Sequence, residues 1–194
     1  MSGGGIGGER LFVALPLPGA VRLQLARVRE QAEAVAWISP ENLHLTMRFL
    51  GEIAGERIAA LEATLSRVRV EPFVLPVEGC GAFPPRRPPR ALWIGTGRSH
   101  PRLFQLRQRL DDALLTTGLA VDMRSFHAHI TVARLKGAEP SVAWEWVEAH
   151  RDFVAAPFRV AGFGLYRSVP GPAGSVYTLR RWFAFEEGGA APAA

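Results

Sequence analysis

One tetrapeptide pattern occurs twice in this chain, and it constrains the fold more than any other feature. His44–Met47 has the sequence HLTM and His129–Val132 has the sequence HITV, so both copies follow the order His, apolar, Thr, apolar. Each copy lies in a segment whose composition predicts a β-strand. Because residues i and i+2 of a strand point to the same face, each copy presents an imidazole and a hydroxyl together. Two such strands facing one another would line a cleft with two histidines and two hydroxyl donors.

Helical and strand patterns alternate around the two copies. Hydrophobic periodicity predicts helices at Pro18–Ala34, Ala54–Val68, Ser99–Thr117 and Val142–His150, and strands at Leu11–Leu15, Leu43–Leu50, Phe73–Phe83, Ala91–Thr96, His129–Leu135, Phe158–Tyr166 and Val176–Phe185. Mixed elements with two pseudo-equivalent strands predict an α+β fold. We expect a bilobal molecule made of two similar antiparallel-sheet lobes with outer helices. The two His-x-Thr strands would face each other across a central cleft.

The length and composition predict one globular domain. The chain has 194 residues, 48% hydrophobic and 21% charged, as is usual for folded proteins. We expect the bilobal domain to cover residues 10–185. The first segment, 1–9, is rich in glycine, and the last, 186–194, is low in complexity, so we predict both to be disordered tails.

The charge of the chain favours an anionic partner. Basic residues outnumber acidic ones by 23 to 18, and Lys136 is the single lysine among them. Arginine presents a planar fork that suits phosphate oxygens, so the excess favours a polyanion such as nucleic acid. The one cysteine, Cys80, excludes an internal disulfide and a zinc site built from several thiolates. No apolar run is long enough for a membrane helix and no signal-peptide pattern is present, so we expect a cytoplasmic protein.

Two histidines and two threonines suit acid–base chemistry on a phosphodiester. Near neutral pH one imidazole can take a proton from water while the other, protonated, gives one to the leaving oxygen. Thr46 and Thr131 can donate hydrogen bonds to phosphate oxygens. Arg134 could add positive charge to that site if its strand bends or bulges. Such a site needs no metal ion or other cofactor, and a cyclic phosphate suits it because ring strain lowers part of the barrier.

Two other interpretations of these residues remain open. A lone His-x-Thr on a strand is common and usually marks a half-buried strand whose polar groups are satisfied locally. His127 and His129 also form a His-x-His pair that could bind a metal ion. A carboxylate partner for that pair is not obvious nearby in the sequence.

Further motifs accompany the repeated tetrapeptides in a fixed order. They are RLFVAL at 10–15, PENLHLTMRFLG at 40–51, GAFP at 81–84, RALW at 90–93, FHAHITVAR at 126–134 and LYRS at 165–168. With this set the chain resembles the two-histidine phosphoesterases, and more narrowly the RNA 2′,3′-cyclic phosphodiesterases, also called 2′-5′ RNA ligases. The resemblance extends from Arg10 to about Phe185.

The resemblance implies metal-independent hydrolysis of an RNA 2′,3′-cyclic phosphate end to a 2′-phosphate. It implies that His44 is the acid and His129 the base. It also implies that Thr46, Thr131 and Arg134 hold the phosphate, and that ATP-independent 2′-5′ ligation is possible at the same site. Further candidates for contacts with RNA are Phe49, Tyr166, Arg167 and His127.

Three alternative functions stay open at this point. The same chemistry could act on a small cyclic nucleotide or an ADP-ribose cyclic phosphate. The chain could instead be a non-catalytic RNA-binding module, or a metal-dependent hydrolase. We expect a monomer, because no self-complementary apolar patch is evident in the sequence.

Overall fold

The computed structural model describes residues 7–32, 34–85, 87–98, 100–119, 125–137, 139–171 and 174–186. Residues 1–6 and 187–194 of the two predicted tails lie outside the described residues. The strands are β1 (Glu9–Pro16), β2 (Val35–Trp37), β3 (His44–Ile53), β4 (Phe73–Glu78), β5 (Cys80–Phe83), β6 (Ala91–Gly95), β7 (His129–Leu135), β8 (Val154–Val160), β9 (Gly162–Val169) and β10 (Val176–Ala184). The α-helices are α1 (Gly19–Leu25), α2 (Gly55–Leu65), α3 (Pro101–Thr116) and α4 (Pro140–Ala149).

The two motif strands lie side by side in the middle of the large sheet. The strand order is β10-β9-β1-β3-β7-β6-β5, with β2 also paired to β7, while β4 and β8 form a separate two-stranded sheet. The motif strands β3 and β7 are joined by one residue pair, Leu45 and Ile130. Each otherwise pairs antiparallel within its own half, β3 with β1 and β7 with β6 and β2. The predicted α+β fold with two similar halves is confirmed.

One face of the large sheet is covered by the helices. Leu11, Val13 and Leu15 alternate along β1 and pack into the same core as Leu61 of α2 and Leu106 of α3. The residues between them, including Phe12, point to the other face. Burial of one face therefore fixes the register of β1 and leaves the opposite face to carry polar and aromatic groups.

Three predicted elements differ from the structure. The first helix ends at Leu25, with one 3₁₀ turn at Ala26–Val28, and not at Ala34, because the polar residues after Val28 offer no apolar face. The single strand predicted at Phe73–Phe83 is interrupted at Gly79, whose φ of 73° breaks the extended chain, and β4 and β5 join different sheets. The strand predicted at Phe158–Tyr166 is likewise two strands, β8 and β9.

Within the described ranges, no helix combines the length and apolar character needed to cross a membrane.

Candidate active site

The two motif histidines are held in the same way. The Nδ1 atom of His44 donates to the carbonyl oxygen of Asn42, and Nδ1 of His129 donates to the carbonyl oxygen of His127, each at 2.7 Å. A carbonyl oxygen can only accept, so each Nδ1 carries a proton. The local i to i−2 bond therefore fixes both tautomers and leaves both Nε2 atoms to exchange protons with a ligand.

A β-bulge comes directly after the threonine in both motif strands. Met47 is the extra residue where β3 pairs with β1, and Val132 is the extra residue where β7 pairs with β6. Both are the fourth residue of their motif. The burial pattern along the first six residues is also the same in β3 and β7, with two consecutive buried residues at the bulge. The bulge reverses the alternation, so Phe49 and Arg134 return to the histidine face of the sheet.

The bulge places the positive charge of Arg134 on the histidine face of the sheet. On a straight strand Arg134, three residues after Thr131, would point to the opposite face. It is exposed on the histidine face, and its positive charge lowers the pKa of both histidines. Thr46 lies on the same face, and its Oγ1 is 3.0 Å from Nε2 of His44. Thr131 occupies the equivalent position in β7 and is half-buried.

Burial lowers the pKa of His44 below its ordinary value. The hydrogen bond to the Asn42 carbonyl raises that pKa, whereas the positive charges of His129 and Arg134 lower it. The pKa of His129 is also lowered, first by burial and then by the charges of His127 and Arg134, against the hydrogen bond to the His127 carbonyl. Each histidine therefore loses its proton more readily than a free imidazole. A bound anion would oppose both effects.

Aromatic rings form the wall of the cleft on the His44 side. The ring centroid of Phe12 lies 5.0 Å from that of His44, and Tyr177 meets His44 edge-on at 5.2 Å. Tyr166 stacks on Phe12 at 5.4 Å. Its ring lies over Gly164, where a Cβ atom would collide with it. Phe12 and Tyr177 therefore fix the orientation of the His44 ring without placing a charge beside it.

A second aromatic cluster forms the wall on the His129 side. Phe83 contacts both His129 and His127 edge-on, with centroid distances of 4.9 and 5.3 Å, and Trp93 contacts His127 at 4.7 Å. The Trp93 indole lies over Gly81, where a Cβ atom would collide with it. The two halves therefore share one feature, an aromatic ring lying over a glycine on the second strand from the motif strand.

Two cavities open beside the histidines. One of about 350 Å³ is lined by Thr46, Phe49, Phe83, Arg107, Phe126, His127 and His129, among others. The other, of about 240 Å³, is lined by Arg22, Asn42, His44, Tyr166 and Tyr177, among others. A ligand centred between the histidines would thus have an aromatic pocket on either side. Strand alternation could have identified Phe12, Tyr177 and Phe83, which share the histidine face, but the sequence analysis did not select them.

A charged network that sequence reasoning missed fastens α3 to the first bulge. Arg48 is only 4% exposed, and its Nε donates to a carboxylate oxygen of Asp111 at 2.8 Å. Arg107 donates to the other oxygen of Asp111 at 3.0 Å, and it also donates to the carbonyl oxygen of Met47. The guanidinium of Arg107 lies 4.8 Å from the ring centroid of Phe126. Arg48 is thus a buried structural residue and is not equivalent to Arg134.

The structure does not bring Arg167 to the histidines. In β9 it pairs with Leu11, a core residue, whereas Tyr166 pairs with Phe12 on the histidine face. The Nε of Arg167 lies 3.7 Å from the carboxylate of Glu9. Arg167 therefore points away from the histidine face, because adjacent residues on a strand point to opposite faces, and its contact with RNA stays a prediction.

The His127 and His129 rings lie close together on one side of the cleft. Their centroids are 6.1 Å apart, and His127 packs between Phe83 and Trp93. In the described part of the chain, no group of three or more His, Cys, Asp and Glu side chains could hold a metal ion. The donors needed for the His-x-His metal interpretation are therefore not assembled among these residues.

Comparison with known proteins gives a consistent result. A family model described as LigT-like phosphoesterase matches residues 15–93 and 96–177. An Archaeoglobus fulgidus protein named RNA 2′,3′-cyclic phosphodiesterase is 34% identical over 177 residues, which cover 90% of this chain and 99% of that protein.

Solved structures with the same fold cover nearly the whole molecule. The Escherichia coli protein LigT in complex with 3′-AMP superposes with a TM-score of 0.77 at 27% identity, covering 93% of this chain and 99% of LigT. The protein TT0787 of Thermus thermophilus gives a TM-score of 0.78 at 28% identity, covering 93% of this chain and all of that one.

Proposed function

The chain belongs to the LigT-like phosphoesterases, and we propose that it hydrolyses 2′,3′-cyclic phosphate ends of RNA without a metal ion. One observation carries the proposal: two histidines with fixed tautomers lie at equivalent positions of adjacent strands, with hydroxyl groups and Arg134 on the same face. The relatives named RNA 2′,3′-cyclic phosphodiesterase support the choice of substrate.

In the proposed reaction the two histidines have opposite roles. Nε2 of His129 removes a proton from water as the water oxygen attacks phosphorus. The bond between phosphorus and O3′ breaks, and protonated Nε2 of His44 gives its proton to O3′. The products are a 2′-phosphate and a 3′-hydroxyl. His44 ends neutral and His129 ends protonated, and proton exchange with solvent restores both.

The neighbouring groups stabilise the charge that develops on the phosphate. Thr46 and Thr131 donate hydrogen bonds to its non-bridging oxygens, and Arg134 supplies a positive charge that the bulge turns toward the site. Each proton transfer of this kind contributes roughly 10²–10⁴ in rate. The negative substrate also raises the lowered pKa of His44, which keeps the acid protonated in the complex.

The test is a short labelled RNA that ends in a 2′,3′-cyclic phosphate. Its product is compared with synthetic standards that end in a 2′- or a 3′-phosphate. We expect complete conversion to the 2′-phosphate. A 3′-phosphate would contradict the assignment of O3′ as the leaving group. No conversion of RNA, together with hydrolysis of a cyclic nucleotide or ADP-ribose cyclic phosphate, would move the substrate to the small-molecule class.

The same assay tests the independence from metal ions. The proposed mechanism uses only imidazole, hydroxyl and guanidinium groups, so we expect the same rate before and after dialysis against excess EDTA. A parallel assay with added Mg²⁺ or Mn²⁺ should show no gain. Loss of activity in EDTA that returns with one metal would support a metal-dependent hydrolase instead.

Ligation requires only a change of nucleophile in the same mechanism. A ribose 5′-hydroxyl replaces water, His129 removes its proton and O3′ leaves as before, giving a 2′-5′ linkage. The cavities on both sides of the histidines offer room for a nucleoside from each strand. Incubation with a second RNA bearing a 5′-hydroxyl should yield a joined product sensitive to the His129→Ala substitution.

The setting of the activity is proposed from its substrate. The protein would act in the cytoplasm, where RNA ends are available and the thiol of Cys80 stays reduced. It would act there as a monomer. Sedimentation of the purified protein tests the monomeric state.

A further inference from the structure

A third cavity lies next to the cavity beside His44. This cavity, of about 260 Å³, is lined by Pro16, Leu17, Pro18, Arg159 and Trp182, among others. Pro16 and Leu17 also line the cavity beside His44. The two cavities are therefore adjacent at the end of β1, on the side of the molecule away from His129.

Trp182 forms the aromatic wall of the third cavity. Its indole lies over Gly162, where a Cβ atom would collide with the ring. Where β10 pairs with β9, Trp182 lies opposite Gly164. Gly164 is on the same face of β9 as Tyr166. The ring is 42% exposed although it is held in place on the sheet. An exposed, fixed indole is the surface on which a nucleic-acid base stacks.

The third cavity and the cavity beside His44 are each lined by both an aromatic ring and an arginine. Arg22 lines the cavity of Tyr166 and Tyr177, and Arg159 lines the cavity of Trp182. Among the described residues that line either cavity, Glu41 is the single carboxylate. An aromatic ring can stack on a base and a neighbouring arginine can bind a phosphate, so two adjacent cavities of this kind suit successive nucleotides of a single strand.

We infer that the third cavity binds a nucleotide of the RNA substrate upstream of the cyclic phosphate, with its base on Trp182 and its phosphate at Arg159. This inference rests on the proposed function and extends it, because it makes the substrate a single strand of several nucleotides rather than its end alone. The strand would leave the histidines on the His44 side and continue along the cavity of Tyr166 and Tyr177.

The experiment measures kcat/KM for substrates of one, two, three and six nucleotides, each ending in a 2′,3′-cyclic phosphate. The wild-type value should rise with length. Trp182→Ala should lower the ratio of the hexamer value to the mononucleotide value by roughly tenfold, the usual loss for one stacked base. Trp182→Phe should restore most of it.

Trp144 provides the matched control, since it is 43% exposed and lies on α4, where it lines none of the three cavities. Trp144→Ala should leave kcat/KM unchanged at every length. Arg159→Gln should make the hexamer value less dependent on salt, by about 0.7 in the logarithmic slope for one lost phosphate contact. Trp182→Leu replaces the alanine variant if the latter does not fold.

The possible outcomes separate this inference from the proposed function. Equal wild-type values at all lengths would overturn the third cavity as an RNA site while leaving the catalytic proposal standing. An equal loss at all lengths in Trp182→Ala would assign Trp182 a structural role and overturn the inference as well. No hydrolysis of any of these substrates by the wild-type protein would overturn both.

Discussion

Phe49 and Arg134 occupy equivalent positions in the two motif strands, two residues after the bulge residue and exposed on the histidine face. The two halves therefore present the same histidine and threonine but differ in the side chain beyond the bulge. One half adds an apolar ring to the cleft and the other adds a cation. This difference gives the nearly symmetric site one side suited to a nucleobase and one suited to a phosphate.

We expect Phe49→Ala to weaken substrate binding more than it slows the chemistry. Phe49 is 65% exposed and lines the larger cavity, so truncation removes a stacking surface and little core packing. Loss of one stacked base should raise KM roughly tenfold. Steady-state kinetics on the labelled RNA check this, with Phe104→Ala as the control, because Phe104 is exposed but does not line that cavity. A fall in kcat at unchanged KM would contradict the stacking role.

His44→Ala and His129→Ala should each lower the single-turnover rate by roughly 10²–10⁴, because each removes one proton-transfer group of the proposed mechanism. The double variant should be little slower than either single variant, since the two residues act as a unit. Thermal unfolding of each variant, compared with the wild type, controls for loss of the fold. A folded single variant that kept the wild-type rate would refute the two-histidine mechanism.

The pH dependence of kcat/KM should be bell-shaped, with its maximum on the acidic side of about 6.5, the ordinary histidine pKa. In the proposed mechanism, activity rises with pH as His129 loses its proton and falls as His44 loses its own. Burial and the charge of Arg134 lower the pKa of both groups, so both limbs move to lower pH. The two apparent pKa values of the profile belong to the coupled pair of histidines rather than to single residues.

Removing the charge of Arg134 should shift that profile. Arg134→Gln should move both limbs to higher pH, because each histidine is then protonated more easily, and it should lower the maximum rate. Lys136→Gln is the control: it removes a nearby exposed charge that does not act on the pKa of either histidine. An unshifted profile in Arg134→Gln would show that Arg134 does not set the pKa values.

The local features of this site could be predicted from the sequence, and the long-range ones could not. The repeated tetrapeptides and the strand period place the histidine and threonine side chains together, because that relationship spans three residues. The role of Arg134 required a bulge, which the pattern allowed but did not establish. Tyr166 and Arg167 are both candidates from the sequence, but strand alternation places only Tyr166 on the histidine face. The bond from Arg107 to the Met47 carbonyl joins distant segments and has no local signal.

Asp111 should contribute more to stability than its exposed neighbour Asp112. The carboxylate of Asp111 bonds Arg48, which is buried, and Arg107, which in turn holds the bulge carbonyl of Met47. Asp111→Ala removes the carboxylate that accepts from the buried Arg48, and loss of a hydrogen bond to a charged group typically costs roughly 1.5–3 kcal/mol of the free energy of unfolding. Asp112→Ala, at an exposed position of the same helix, should change it by no more than about 0.5 kcal/mol.

Urea unfolding monitored by tryptophan fluorescence measures both aspartate variants. Similar free energies of unfolding for the two variants would show that the network does not fasten α3 to the motif strand. If the network does fasten it, Asp111→Ala should also lower kcat under conditions where the variant stays folded, because Thr46 and Phe49 flank the bulge that Arg107 holds.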